Sequence, residues 1–206
     1  MTKRPSRKER KKLIVQAAAE VFAEKGYNKT LVAEVAVAAG IGKGTVYEYF
    51  KSKDDLFFAV FQYVVQESGD TAEAALEKAA GKTAALRLTA LNSAIVSWIV
   101  QHRHLYTLSM EFWAATVSAS PEMRVRMEKE FKNIYERFRR IVGGIIQEGV
   151  AGGVFKKSIN SKAIAAAVVG SWDGLGVQAW FDPEFKIEKT SRTYMELLIN
   201  GMLAEN

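Results

Sequence analysis

Residues 30–56 read TLVAEVAVAAGIGKGTVYEYFKSKDDL, and the reading of this stretch decides the fold. Val32, Val35, Ala36 and Ala39 fall at i, i+3, i+4 and i+7, one apolar face of a helix. Gly40-Ile41-Gly42 breaks that helix. The piece from Lys43 to Phe50 offers only Val46 and Phe50 for burial, four apart. Its other face carries Lys43, Thr45, Tyr47 and Tyr49, one cation and three hydroxyls. A helix of about two turns with so little to bury makes sense when two neighbours hold it up and it enters a groove. That is the helix-turn-helix arrangement, whose second helix lies in the major groove of DNA.

Working outward, Ser52 is placed to cap the next helix, with Asp55 three residues on. Lys53 at the helix start, beside free backbone N–H groups, makes a phosphate seat. Gly26-Tyr27, Ala39-Gly40 and the run Lys43-Gly44-Thr45-Val46-Tyr47-Glu48-Tyr49-Phe50-Lys51-Ser52-Lys53 resemble the TetR-type bacterial transcriptional regulators. The resemblance covers about a quarter of the chain; the rest matches in length and all-helical pattern. It implies an N-terminal three-helix DNA-binding domain, a larger helical domain for ligand binding and dimerisation, and repression relieved by an inducer. The expected division is 1–52 and 53–206.

For DNA, the candidate contacts are Thr30, Ala33, Lys43, Gly44, Thr45, Tyr47, Tyr49 and Lys53. Lys43 is the best placed for a base edge, guanine O6 or N7. Thr45 and Tyr49 suit phosphates, and Tyr47 suits either. Thr30 has two readings, a helix cap or a phosphate ligand. Leu31 stands where similar repressors carry a second hydroxyl. Gly42 stands where Ser is common. Ala33 offers only a methyl contact to thymine.

Charge placement agrees with this reading. Residues 1–53 hold 12 Lys/Arg against 5 Asp/Glu, a net of +7, while 54–206 net −1. The excess is therefore confined to the part containing the helix-turn-helix, the electrostatic footprint of a nucleic-acid binder. Seven cations crowd residues 1–12, from Lys3 and Arg4 to Lys12, either as an arm for DNA or as a solubilising tail. The chain has no cysteine, which removes disulfides, thiolate metal sites and thiol nucleophiles and fits a cytoplasmic location. The basic N-terminus lacks a signal-peptide pattern. The stretch Ala163–Phe181, broken by Asp173, reads as a buried helix rather than a membrane span.

The rest of the chain repeats helical periods. Leu13, Ile14, Ala17, Ala18, Val21 and Phe22 form a stripe that Gly26 stops. A helix from Lys53 carries Leu56, Phe57, Val60, Phe61, Val64 and Val65, and Gly69 or Gly81 is expected to interrupt it. Leu86, Leu88, Leu91, Ile95, Trp98 and Ile99 continue the pattern. Later helices open at Ser120-Pro121 and Asn160/Ser161, and the last spans about Lys189 to Ala204. The fold class is all-α, with nine or so helices.

All four tryptophans fall in the larger part, and aromatic, Met-lined helical cavities suit flat, apolar or cationic organic ligands. Trp98, Tyr106, Met110, Trp113, Trp172 and Asp173 are the candidate ligand residues, with plain core packing the alternative for each aromatic. Glu111 and Asp173 are acids inside apolar runs, either counter-charges for a cationic ligand or solvent-facing groups. Trp172, Gly176 and Trp180 share a face that reads as dimer contact or pocket wall. His102 and His104, the only histidines, are two apart and fall on different faces if one helix carries both, or flank a helix junction; no metal site is expected. Gly40–Thr45 lacks the Gly-Lys-Ser/Thr order of a phosphate loop, and no Ser/His/Asp grouping is present. The expectation is a non-enzyme without cofactor, a homodimer that binds an operator duplex and a small-molecule inducer and has no membrane partner.

Overall fold

The computed structural model of the protein describes residues 5–204. Lys3 and Arg4 of the basic arm lie outside the described residues. The helices are α1 (Arg7–Lys25), α2 (Val32–Ala38), α3 (Lys43–Tyr47), α4 (Lys53–Lys78), α5 (Ala84–Gln101), α6 (Arg103–Ser118), α7 (Pro121–Ala151), α8 (Ser161–Phe181) and α9 (Ile187–Met202). Among the described residues the only β pairing is an isolated bridge from Phe155 to Leu203. The chain groups into two compact units. One is Met1–Glu67 with His104–Glu128, the other Ser68–Arg103 with Lys129–Asn206. The divisions fall inside α4 and α7 and at the first residue of α6.

In the first unit α1 packs on α2 and α2 on α3. Ser6 caps α1 by a capping box with Glu9, the Ser6 hydroxyl accepting from the Glu9 N–H and Glu9 accepting from the Ser6 N–H. The buried stripe of α1 is Ile14, Val15, Ala18, Ala19, Val21 and Phe22. Four of these six are as expected; Val15 and Ala19 stand in place of Leu13, which is half exposed, and Ala17. The run from 13 to 22 holds two overlapping apolar stripes, and packing against α2 selects the second. Gly26 ends α1 with φ +81° and ψ 154°, an extended conformation that only glycine adopts without strain.

Gly69 does not interrupt α4. It is buried within the helix, and a Cβ there would stand 2.8 Å from the Arg137 guanidinium, which also pairs with Glu73 at 2.6 Å. Glycine here makes room for a close neighbour. The helix ends before Gly81, whose φ is +74°.

The second unit is built on α5, α8 and α9, which pack on one another. Its core includes Leu88, Leu91, Ile95, Val168, Trp172 and Met195. Leu86, expected in the stripe, is exposed. Inside this apolar packing lies one polar cluster. Asn92 donates to the Ser191 hydroxyl at 2.8 Å, and the Trp172 indole N–H donates to the Asn92 carbonyl at 3.0 Å. No buried side-chain polar atom among the described residues lacks a partner, as interiors require.

Candidate nucleic-acid interface

α3 is shorter than expected, five residues followed by a turn. Its anchors are the expected ones: Val46 is 1% exposed and Phe50 5% exposed. Opposite them Lys43, Gly44 and Tyr47 are exposed, with Thr45 and Tyr49 partly so. Gly42 precedes the helix without a side-chain cap; Thr45 N–H donates to its carbonyl at 2.9 Å. The turn from α2 is closed by the Ile41 N–H donating to the Ala36 carbonyl at 2.9 Å, with Gly40 at φ +66°. A short helix thus presents one cation and several hydroxyls from a rigid base.

The basic first turn of α1 reaches the same region. The Arg7 guanidinium lies 5.6 Å from the Tyr49 ring centre, and the Lys11 ammonium 5.5 Å from that of Phe50. Arg7, Arg10, Glu48 and Tyr49 line one shallow cleft with Pro5. No sequence period links the start of α1 to the end of α3, so this juxtaposition was not legible from the residues alone.

Two candidate contacts, Thr30 and Lys53, stand differently from their expected roles. Thr30 is 1% exposed, and its hydroxyl donates to the Gly26 carbonyl at 2.8 Å. It neither caps α2 nor faces a phosphate, because the chain turns inward to seat it in the core. Instead, Glu34 accepts from the Leu31 N–H at 2.9 Å and pairs with Lys25 at 2.6 Å. Lys53 is only partly exposed. Its ammonium lies over the Tyr27 ring, 4.3 Å from the centre, and donates to the Asn28 carbonyl at 3.3 Å. Ala33 is partly exposed on α2. Ser52 does cap α4, accepting from the Asp55 N–H at 3.1 Å.

Beside Lys53 lies Glu111, expected to be a counter-charge for a cationic ligand or a solvent-facing group; its partner is instead a backbone N–H. Both carboxylate oxygens of Glu111, on α6, stand 2.9 Å from the Tyr27 N–H in the α1–α2 turn. The Tyr27 hydroxyl donates to Asp54. Burial pushes the Tyr27 hydroxyl pKa up, and the Asp54 carboxylate adds to the rise. Burial also raises the Glu111 carboxyl, against the opposing pull of the Tyr27 N–H and of Lys53. An aromatic seam runs alongside. Phe57 meets Phe22 at 5.5 Å, Tyr27 at 4.4 Å and Phe112 at 4.9 Å, and Phe112 meets Phe61 at 4.8 Å.

The six candidate ligand residues divide between the units. Tyr106, Met110 and Trp113 share one face of α6 in the first; Trp98, Trp172 and Asp173 belong to the second. Trp172 is a core residue with its N–H bonded to Asn92 and its ring edge-on to Phe138 at 5.6 Å. Asp173 accepts from the Tyr135 hydroxyl at 2.8 Å, and burial raises its pKa despite that bond. Trp98 stacks on the His102 ring at 4.9 Å. Gly176 is buried with Trp172, so this face of α8 looks into its own unit. The exposed face of α8 is instead Ala163, Ala166, Ala167, Gly170 and Gly174, and on α9 Leu197 is 69% exposed. His104 stands 3.4 Å from Glu20, and no metal-ligating group of three or more His, Asp or Glu forms among the described residues. Among the same residues no helix is long and apolar enough to cross a membrane.

Known proteins match along the whole chain. Residues 14–60 match the family described as bacterial regulatory proteins, tetR family. Residues 81–202 match that described as tetracyclin repressor-like, C-terminal domain. The chain is 27% identical over 193 residues to the fatty acid metabolism regulator protein of Bacillus subtilis, covering 92% of this chain and 93% of that protein. It is 26% identical over 199 residues to an HTH-type transcriptional repressor of Mycolicibacterium smegmatis, covering 92% and 88%. Among solved structures, the transcriptional regulator FadR of Bacillus subtilis in complex with stearoyl-CoA superposes with a TM-score of 0.74 at 25% identity, covering 93% of this chain and 98% of that one.

Proposed function

The chain belongs to the TetR family of bacterial regulatory proteins, and from that premise we propose that it is a homodimeric transcriptional repressor released from its operator by a long-chain acyl-CoA. The reading of DNA is assigned to residues 1–52, and the binding of ligand and second subunit to 53–206. Lys43, Gly44, Thr45, Tyr47 and Tyr49 on and just after α3 are the groove-facing set, Lys43 reading a base and the hydroxyls holding phosphates. Arg7 and Arg10 add phosphate contacts from the start of α1. The exposure of this set over the buried Val46 and Phe50 is the observation that supports it.

Dimerisation is assigned to the exposed small-residue face of α8 with Leu197 of α9. Alanines and glycines at Ala163, Ala166, Ala167, Gly170 and Gly174 let a second helix approach closely, and two such faces related by a two-fold axis match a pseudo-palindromic site. The ligand class rests on one observation, the full-length similarity to a regulator solved with stearoyl-CoA. It narrows the expected flat, apolar or cationic inducer to a long apolar chain on an anionic head. The protein would act in the cytoplasm, where operator and thioester meet. Ligand and operator then oppose each other through a coupling free energy, typically about 1–3 kcal/mol.

The test begins with selection of a binding site from a random duplex library. Fluorescence anisotropy on that duplex follows, with stearoyl-CoA, stearate or coenzyme A added. Release by stearoyl-CoA alone is the expected result. Binding that none of the three weakens would remove the acyl-CoA assignment, and failure to select any site would remove the regulatory one.

A further inference from the structure

We propose that Glu111 is a positioning residue for DNA reading: from α6 its carboxylate accepts the Tyr27 N–H and so holds the α1–α2 turn, from which α2 and α3 are built. The inference rests on the DNA-binding reading above. Within the turn, the Tyr27 N–H donates to a side chain. Gly26 N–H donates to the Phe22 carbonyl at 2.8 Å, and Thr30 N–H donates to that of Gly26 at 3.2 Å. The acceptor for Tyr27 comes from a residue 84 positions away, at 2.9 Å through both oxygens. The turn is shaped to admit it. Gly26 takes a glycine-only conformation, and a Cβ there would stand 2.9 Å from the Glu111 Oε1.

What the turn carries explains why holding it matters. Tyr27 packs on Phe57, donates to Asp54 and supports the Lys53 ammonium, so its ring meets the first turn of α4. Thr30, at the far end of the turn, bonds back to Gly26 and leads directly into α2. α2 in turn packs on α3. One hydrogen bond at Tyr27 therefore bears on both ends of the helix-turn-helix, where α2 begins and where α4 follows α3.

A cleft of about 310 Å3 is lined by Tyr27, Asn28, Asp54, Phe57 and Glu111, with Met123 among its other walls. Lys53 of α4 draws the Glu111 carboxyl towards ionisation, while burial opposes ionisation.

The experiment uses the full-length protein as wild type, Glu111→Ala and Glu111→Gln. Amide hydrogen exchange of the peptide spanning Gly26–Thr30 reads the hold without DNA, and anisotropy on the selected duplex reads its consequence. In Glu111→Ala the turn should exchange about tenfold faster, with the α5, α8 and α9 peptides unchanged, and operator affinity should fall about fivefold or more. Glu111→Gln keeps an oxygen acceptor at the same reach and should stay within about twofold of wild type in both. If Glu111→Ala does not fold, Glu111→Asp, one methylene short of the turn, takes its place with the same expectations. Unchanged exchange overturns the proposal. So does faster exchange with unchanged affinity, or a glutamine variant as impaired as the alanine one. A wild type that selects no duplex removes the regulatory reading instead, and the exchange result still decides whether Glu111 holds the turn.

Discussion

Gly26→Ala is the perturbation on which the account of the turn bears most heavily. Two costs add. The first is conformational: φ +81° with ψ 154° lies in a region essentially reserved for glycine, and an alanine held there costs about 1–3 kcal/mol. The second is the collision. The new methyl would stand 2.9 Å from the Glu111 Oε1, so that oxygen must move aside, and the Tyr27 N–H, which both carboxylate oxygens reach, keeps a weaker bond. Weakening that hydrogen bond costs about 1 kcal/mol more. Some relaxation of the turn is expected, so the sum is about 1–4 kcal/mol out of a total stability of about 5–15 kcal/mol. The assay is urea unfolding at pH 7 and constant protomer concentration, because association alters apparent stability. A double-mutant cycle separates the two costs. With Glu111→Ala already present there is no carboxylate to strike and no bond to lose, so Gly26→Ala should cost only the backbone part, about 1–3 kcal/mol. An equal cost in both backgrounds would refute the collision. A cost below about 0.5 kcal/mol in the wild type would refute the strain as well.

Three further outcomes follow from other parts of the molecule. Lys43→Ala should relax specificity at one base pair, by about 1–3 kcal/mol in competition between single-substitution duplexes; equal loss on every duplex would make Lys43 a phosphate contact. Asp173→Asn keeps an acceptor for the Tyr135 hydroxyl and removes a charge that burial disfavours. The Asp173 pKa is raised in the fold, so its contribution to stability is full below the ordinary aspartate range and is lost as pH rises through the folded value. The variant should therefore unfold at higher urea than wild type at pH 7, with the advantage vanishing under acid conditions; a variant less stable at neutral pH would contradict the sign. Gly170→Glu places charge and bulk on the exposed small-residue face of α8 and should give monomers in sedimentation velocity at about ten micromolar, where the wild type is expected to sediment as a dimer; an unchanged dimer would move the interface elsewhere.

The helix-turn-helix was legible because its signal is local. Val46 and Phe50, four apart on a helix with nothing else to bury, are buried as that spacing demands. Local signals failed where two answers had equal merit within one segment. In α1, Leu13 and Val15 compete for the same stripe, and only the packing of α2 against α1 decides that Val15 is buried and Leu13 is not. Gly69 reads as a helix breaker to any local rule, yet it sits inside α4 because Arg137 needs the space. Thr30 carries a hydroxyl at a helix start, which fits a cap, a phosphate ligand or an internal bond. The Gly26 carbonyl, exposed to it by a glycine-only turn, settles the matter.

The polar residues inside apolar runs make the same argument from the other side. Glu111, Asp173 and Asn92 each interrupt a hydrophobic period, which invites a ligand to be imagined opposite them. In the structure each meets a group from distant sequence: the Tyr27 N–H, the Tyr135 hydroxyl, and the Ser191 hydroxyl with the Trp172 indole. The physical reason is general. A polar group taken out of water must find a partner, and in a helical fold whose backbone groups are mostly spent on their own helices that partner is an irregular turn or another side chain. Glu111 is the case in which the partner is a turn, and the turn is the one that leads into the helix-turn-helix. Its ties therefore run towards the DNA-reading helices, with none yet to an inducer. An inducer that engaged the Glu111 carboxylate would have to take it from Tyr27, so binding there would loosen the reading unit by subtraction of a hydrogen bond.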